Sequence, residues 1–278
     1  MKTLLVPIDP HLPTASVLET TLLAARQFDS YVEGFALRPA PIEYIPIDMV
    51  GGLTWAGNDV NDDEAVDQAR SLFDSFMRER QIPARSGAAP GLGYGWLETA
   101  PFGEGFVGSY GRVFDLTVVG RPSAGQPRTS MLTLEAALFE SGRPILMAPP
   151  TPPKTLAETV VIAWNGSDET ARAAAAARPF LERARRVVVL TVESGMVPGP
   201  TGEQVVQWLR RNGIPADPIT APPDRKPPGE TILAQAALLG CDLLIKGAYT
   251  QSRLRQMIFG GATSHILAKA TIPVLLTY

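Results

Sequence analysis

The chain has very little of the chemistry that metal sites and disulfide frameworks need. Its 278 residues include one cysteine, Cys241, and two histidines, His11 and His265. A single thiol cannot pair within the chain, and so few soft ligands exclude a thiolate or imidazole metal cluster. We therefore expect a buried structural thiol at Cys241, a polar loop position for His11, an exposed helix position for His265 and no metal site.

Several other patterns are missing. No apolar run reaches the roughly 20 residues that span a bilayer, and no basic block marks a nucleic-acid surface. The N-terminal segment, Met1 to Asp9, is too short and becomes acidic too soon for a signal peptide. The P-loop pattern and the G-x-S-x-G elbow are not found, so neither a P-loop ATPase nor a Ser–His–Asp hydrolase is expected. These gaps favour a cytoplasmic protein that binds neither nucleic acid nor membrane.

The clearest positive pattern lies in the last stretch of the chain, from Asp242 to Tyr278. An apolar run, Leu243–Ile245, leads to Gly247, and a polar loop then reaches a glycine pair and a helical pattern. A second apolar run, Val274–Leu276, follows Pro273. Short, fully apolar strands on either side of a helix are typical of a parallel sheet covered on both faces.

The glycine pair, Gly260 and Gly261, stands where the loop enters the helix. The first N–H groups of a helix have no partner within it, and glycine lets a ligand approach them closely, so the place suits a phosphate. Thr263 and Ser264 add hydroxyl groups in the first turn. A tight loop with a glycine helix cap and no ligand explains the same residues, and both interpretations stay open.

The two halves of the chain repeat one order of elements. Asp9 ends the first apolar run as Asn165 ends a later one, 156 residues on, while Gly120 and Gly247 are 127 residues apart. The first half thus carries about 29 extra residues, most of them in an irregular but apolar excursion, residues 38–60. Repeated strand–helix–strand units predict right-handed crossovers and parallel strands.

The last stretch resembles the universal stress protein family. That family has a Gly-x2-Gly-x9-Gly-Ser/Thr loop between its fourth strand and last helix, followed by a Pro-Val-Leu strand. Gly247 and Gly260 match this loop, Thr250 and Gly261 replace its other two motif residues, and the Ile272–Tyr278 segment fits the closing strand. In the first half only Gly120 matches, and a bulky side chain, from Met131 to Leu134, stands at the helix entrance.

The resemblance implies a tandem α/β protein with a Rossmann-like fold. We expect two open, parallel, five-stranded sheets with helices on both faces, related by a pseudo-two-fold axis. Residues 1–149 form a degenerate universal stress protein domain with an insertion at about 38–60. Residues 153–278 form a second domain that keeps part of the nucleotide loop.

The resemblance also implies a function and a site. We expect a stress-response binding or regulatory module, not an enzyme. The expected ligand is ATP or another adenine nucleotide in the second domain, and the expected protein partner is a second copy of the chain in a homodimer. No catalytic or metal-binding residue is assigned. Two alternatives stay open: an enzyme of nucleotide or acyl-transfer chemistry that uses the insertion as a lid, and a ligand-free assembly protein. The expected ligand-binding residues are Asn165, Gly247, Thr250, Gly260, Gly261, Ala262, Thr263 and Ser264.

Overall fold

A computed structural model describes residues 1–38, 59–86, 89–122, 129–221, 226–248 and 261–278. The predicted excursion falls almost wholly outside these ranges, so its packing stays a prediction. Thr250 and Gly260 of the expected site also lie outside the described residues.

The first half alternates strands with helices. Its apolar runs become the strands, and the glycines at their ends mark where the chain leaves the sheet. The elements are β1 (Thr3–Ile8), α1 (Ala15–Phe28), β2 (Tyr31–Ala36), α2 (Asp59–Glu79), β3 (Gly93–Trp96), α3 (Gly105–Gly111), β4 (Leu116–Gly120), α4 (Thr129–Glu140) and β5 (Ile145–Ala148).

In its described residues, the second half repeats this order with one extra short helix and a 3-10 turn. The elements are β6 (Thr159–Trp164), α5 (Asp168–Ala176), α6 (Arg178–Leu181), β7 (Arg186–Val192), the turn Glu193–Gly195, α7 (Gly202–Arg211), β8 (Asp217–Ala221), α8 (Pro228–Leu238), β9 (Leu243–Gly247), α9 (Ala262–Lys269) and β10 (Val274–Thr277).

All ten strands belong to one sheet, in the order β3-β2-β1-β4-β5-β10-β9-β6-β7-β8. Each half contributes five parallel strands, as predicted, but the prediction of two separate sheets is wrong. The two units join because β5 and β10 pair antiparallel, with Leu275 opposite Leu146. Each is a short, fully buried apolar strand at the edge of its own unit, and pairing them satisfies backbone groups that would otherwise be exposed.

The strand order is the same when it is read from either edge of the sheet. A two-fold axis through the β5–β10 pair would produce this order. The halves also share a detail: Asp115 accepts the backbone N–H groups of Lys2 and Thr3, and Asp242 accepts those of Glu158 and Thr159. Superposition of the halves across a pseudo-two-fold axis stays a prediction that this order favours.

Helices cover both faces of the sheet, which confirms the predicted α/β architecture. One buried cluster packs side chains of α1, α2, α5 and α7 against one face, and the other packs α3, α4, α8 and α9 against the opposite face. Both clusters contain residues from both halves. Phe28 and Phe180 make an edge-to-face contact from one half to the other, with their ring centroids 4.8 Å apart.

The buried charged residues are few and informative. Most side chains that are fully shielded from water are aliphatic or aromatic, as expected for a core. Lys246 in β9 is an exception, since only 3% of it is exposed. No helix in the described ranges is long and apolar enough to cross a membrane.

Candidate functional site

The strand order places a crevice at the carboxyl edge of each half. In the first half the chain runs outward from β1 to β2 and β3 and then returns to β4 on the other side of β1. Connections on either side of this switch point lie on opposite faces, so the strand ends part and leave room for a ligand. The equivalent switch point in the second half lies between β6 and β9.

The first-half switch point holds a cavity of about 200 Å³. Its wall is mainly apolar and includes Val17, Leu37 and Val119. Two ionisable side chains also line it, Asp9 from the end of β1 and Arg121 from the end of β4. Sequence reasoning treated this half as the degenerate one, and did not identify either residue as part of a site.

Asp9 is held in a tight turn at the end of β1. Its Oδ1 atom accepts the backbone N–H of His11 at 2.9 Å, and only 9% of the residue is exposed. His11 therefore has the polar loop position that we expected. The turn aims a carboxylate at the crevice, where it can accept hydrogen bonds from a ligand hydroxyl or amine.

Arg121 reaches from the first half to the second. Its backbone N–H continues the sheet by donating to the carbonyl of Ala148, and its Nη1 donates to the carbonyl of Ala268 in the last turn of α9. The negative end of the helix dipole favours a cation there. The Nε–H is buried and has no hydrogen-bond partner in the described part of the chain. Burial lowers the pKa of the guanidinium from its ordinary value.

In the second half, Asn165 occupies the position that Asp9 has in the first. Its Oδ1 accepts the Ser167 N–H at 3.3 Å and the Thr170 hydroxyl at 2.7 Å. The Ser167 hydroxyl in turn caps α5 by accepting the Thr170 N–H. The Asn165 amide oxygen is therefore used within the turn, and its amide nitrogen is the group left for a ligand.

Gly247 has a packing role next to this turn. A methyl group built on its Cα would come within 2.5 Å of the Glu169 carbonyl carbon, since the first turn of α5 lies directly against the strand end. Only glycine permits so close a helix–strand approach. The structure thus brings Asn165 and Gly247 of the expected site together around one turn of α5.

The other described members of the expected site form the start of α9. Gly261 is the N-cap residue, with an extended backbone (φ −74°, ψ 170°) and no side-chain cap. The helix then begins with Ala262, Thr263 and Ser264, and Thr263 is buried. This helix start packs closely on α8, where a Cβ at Gly229 would come within 2.7 Å of the Ala262 carbonyl oxygen.

Lys246 is a functional candidate that the sequence analysis did not identify. Its Nζ donates to the Gly247 carbonyl at 2.8 Å. Burial lowers the pKa of this ammonium to about 8, and the nearby negative charge of Glu169 opposes that shift only partly. The signal was visible in the sequence, because a lysine interrupts the apolar run between Ile245 and Gly247.

A second, more open hollow of about 480 Å³ lies beside the start of α5. The segment from Val197 to Pro200 forms one wall. This segment is tied to the end of β6, because the Val197 N–H donates to the Asn165 carbonyl and the Trp164 indole donates to the Pro200 carbonyl. It therefore flanks the outer side of the second-half crevice.

Neither histidine nor the cysteine builds a chemical centre in the described ranges. Within those ranges, no group of three or more His, Cys, Asp or Glu side chains could hold a metal ion. Cys241 is buried, as expected, and burial raises the pKa of its thiol to about 12, so it is a poor nucleophile. His265 is half-buried on α9, which corrects the expectation of an exposed position.

Comparisons with known proteins agree with the fold. Residues 223–277 match the model of the universal stress protein family. The chain is 37% identical over 49 residues to the stress response protein NhaX of Bacillus subtilis (strain 168), a match covering 18% of this chain and 30% of that protein. A universal stress protein structure from Archaeoglobus fulgidus DSM 4304 has a TM-score of 0.70 at 12% identity, covering 99% of this chain and 97% of its own.

A putative universal stress protein from Pseudomonas aeruginosa UCBPP-PA14 has a TM-score of 0.55 at 14% identity, covering 100% of this chain and 93% of its own. At these identities the structural likenesses establish the fold. The sequence match is confined to the segment from the end of β8 to β10, the part that carries the glycine loop. The chain is therefore similar to the universal stress protein family over residues 223–277, and it shares the fold of these proteins over its whole length.

Proposed function

We propose that the protein is a cytoplasmic stress-response binding module that holds an adenine nucleotide at the carboxyl edge of its sheet. The observation that carries this proposal is the crevice at the β1–β4 switch point. It is concave and mainly apolar, with two charged groups in its wall, and this is the usual character of a small-molecule site. Its position follows the general rule for ligands of open α/β sheets.

The chemistry of the crevice suits the parts of a nucleotide. Its volume of about 200 Å³ fits one end of the ligand, a base or a ribose, against the apolar wall. The Asp9 carboxylate is an acceptor for ribose hydroxyls or a base amine. Arg121 and Ser130, in the first turn of α4, also line the cavity, and we propose that they meet the phosphates.

The predicted second-half site is the other location that we propose. Its support is the first turn of α9, where the N-cap residue Gly261 provides no side-chain cap, and the Asn165 amide nitrogen. Two described features limit its room: the Asn165 oxygen is used within its own turn, and the start of α5 lies against Gly247. We therefore expect weaker nucleotide binding there than in the first half.

Calorimetric titration with ATP tests the proposal and separates the halves. Asp9→Asn should weaken binding at least tenfold, because it removes a charge while the turn survives, as the Asn165 turn shows. Asp63→Asn is the matched control, since Asp63 is exposed on α2, and it should change the affinity less than twofold. Gly261→Val and Asn165→Leu should remove only the weaker second-half site. Because the φ angle of Gly261 is negative, valine should not strain its backbone.

Other outcomes would point elsewhere. Loss of all binding in Gly261→Val and Asn165→Leu, with Asp9→Asn unaffected, would move the nucleotide to the second half. No heat at millimolar ATP would favour the ligand-free assembly protein, and release of a product from ATP would favour an enzyme. Native mass spectrometry of the purified protein would report a retained nucleotide and the proposed homodimer in one spectrum.

A further inference from the structure

The two halves differ at one position that the repeat makes equivalent. Val119 lines the first-half crevice and precedes Gly120, the last residue of β4. Because β4 and β9 start 127 residues apart, the residue at the same place in the second half is Lys246, which precedes Gly247. Their register agrees, since Val119 lies opposite Met147 of β5 and Lys246 lies opposite Leu276 of β10. An ammonium group thus replaces an isopropyl group.

Within the described part of the chain, this ammonium has few hydrogen-bond partners. It has three N–H donors, and the described residues provide one hydrogen bond, to the Gly247 carbonyl. No carboxylate in the described ranges lies within 4 Å of its Nζ atom. A buried cation without a close anion is costly, and a binding site is one of the few places where such a group is retained.

The acidic side chain that acts on Lys246 does not give its ammonium group a close anionic partner. Glu169, in the first turn of α5, acts on Lys246 through space, and its Oε2 atom is buried with no hydrogen-bond partner among the described residues. Its Oε1 atom lies 3.8 Å from the Arg172 guanidinium. The strand end therefore combines an ammonium with unused donors and a carboxylate with an unused acceptor, a pair that a protonated or hydroxylated anion can bridge.

The need to fill space does not by itself explain why residue 246 is a lysine. The corresponding first-half residue is apolar, and a methionine would occupy a similar volume without burying a charge. Lys246 lies at the same strand end as Gly247, where the loop to α9 begins, and the first turn of α9 has no side-chain cap from Gly261. Both features favour an anion at this end of the strand.

We propose that Lys246 makes the second-half crevice a receptor for a small anionic group, a phosphate or a carboxylate that carries a hydroxyl or a proton. This inference rests on the proposed second-half site and is independent of the first-half crevice. The two halves then differ in what they bind: the first accepts the base or ribose of a nucleotide against Val119, and the second accepts an anion at Lys246.

The test uses inorganic pyrophosphate as the probe and the full chain as the protein. Calorimetry should show one site in the wild type, and Lys246→Met should weaken binding at least tenfold. The matched control is Lys269→Met, which removes the same charge from an exposed position in the last turn of α9 and should change the affinity less than twofold. Circular dichroism checks that both variants are folded, and Lys246→Gln replaces Lys246→Met if the latter does not fold.

A second readout follows the protonation of Lys246 in the wild type. Glycolate is the probe, because it carries a hydroxyl group and its charge is constant over this range, and its affinity should fall about tenfold per pH unit above about 8 as the ammonium loses its proton. The other charged or titratable groups on the helices packed here are Asp168, Glu169 and Arg172 of α5 and His265 and Lys269 of α9. Glu169→Gln and His265→Gln are therefore titrated in parallel. The fall should persist in both variants and vanish in Lys246→Met.

The outcomes separate this inference from the proposed function. Pyrophosphate binding that Lys246→Met leaves unchanged, or a wild type whose glycolate affinity does not change with pH, would overturn the anion receptor. The same is true if the wild type binds neither probe. ATP or adenosine binding that depends on Asp9 would still support the first-half site in each of these cases.

Discussion

Gly247→Ala should lower the free energy of unfolding by about 3 kcal/mol, since overpacking against a rigid backbone costs this much. The added methyl group would come within 2.5 Å of the Glu169 carbonyl carbon, in a turn fixed by the hydrogen bonds of Asn165 and Thr170. Either α5 or the end of β9 must move. Urea unfolding, followed by circular dichroism, measures the effect.

Gly105→Ala is the control for this experiment. Gly105 begins α3, and a methyl group there would meet only the Glu140 carboxylate, at 3.8 Å. Alanine should therefore be neutral or stabilise the protein by up to about 1 kcal/mol, because it reduces the freedom of the unfolded chain. If Gly247→Ala is as stable as the wild type, α5 does not lie against β9 as described.

Lys246→Met should raise the free energy of unfolding by about 3 kcal/mol at pH 7. A pKa lowered from 10.5 to about 8 in the folded state means that folding carries a penalty of this size while the lysine is charged. Below pH 8 both states hold the proton and the penalty is complete. Between pH 8 and 10.5 only the unfolded state holds it, so the stability of the wild type rises with pH relative to the variant.

The measurement is urea unfolding of the wild type, Lys246→Met and Lys269→Met from pH 6.5 to 10.5. The advantage of Lys246→Met should shrink toward zero over the upper part of this range. Lys269 is exposed, so its variant should follow the wild type throughout. An advantage that does not change with pH, or a variant less stable than the wild type at pH 7, would contradict the buried ammonium.

The two units of parallel strands could be predicted because the sequence patterns that indicate their strands and helices are local. Apolar runs such as Leu243–Ile245 and Val274–Leu276 between turn residues are typical of buried strands, and the repeated order predicts the crossovers. The pairing of β5 with β10 could not be predicted in this way. β5 and β10 are both apolar on both faces. No local sequence pattern shows whether such a strand ends its sheet or pairs with the corresponding strand of the other half.

The site was harder to predict than the fold. Counting glycines at helix entrances directed attention to Gly260 and Gly261 and away from the first half. The cavity at Asp9 depends on which side chains fill a space, and that is a property of packing at positions such as Val17, Leu37 and Val119. The contact between Arg121 and Ala268 joins residues 147 positions apart, which sequence periodicity does not report.

The central claim is that a nucleotide binds at the carboxyl edge of the sheet, with its base or ribose in the first-half crevice. A crystal structure of the full chain grown with millimolar ATP tests it most directly. The account predicts density for the base or ribose beside Asp9, between the ends of β1 and β4, with phosphates toward Arg121 and the start of α4. Nucleotide density away from the carboxyl edge, or a first-half crevice left empty at saturating ATP, would contradict it.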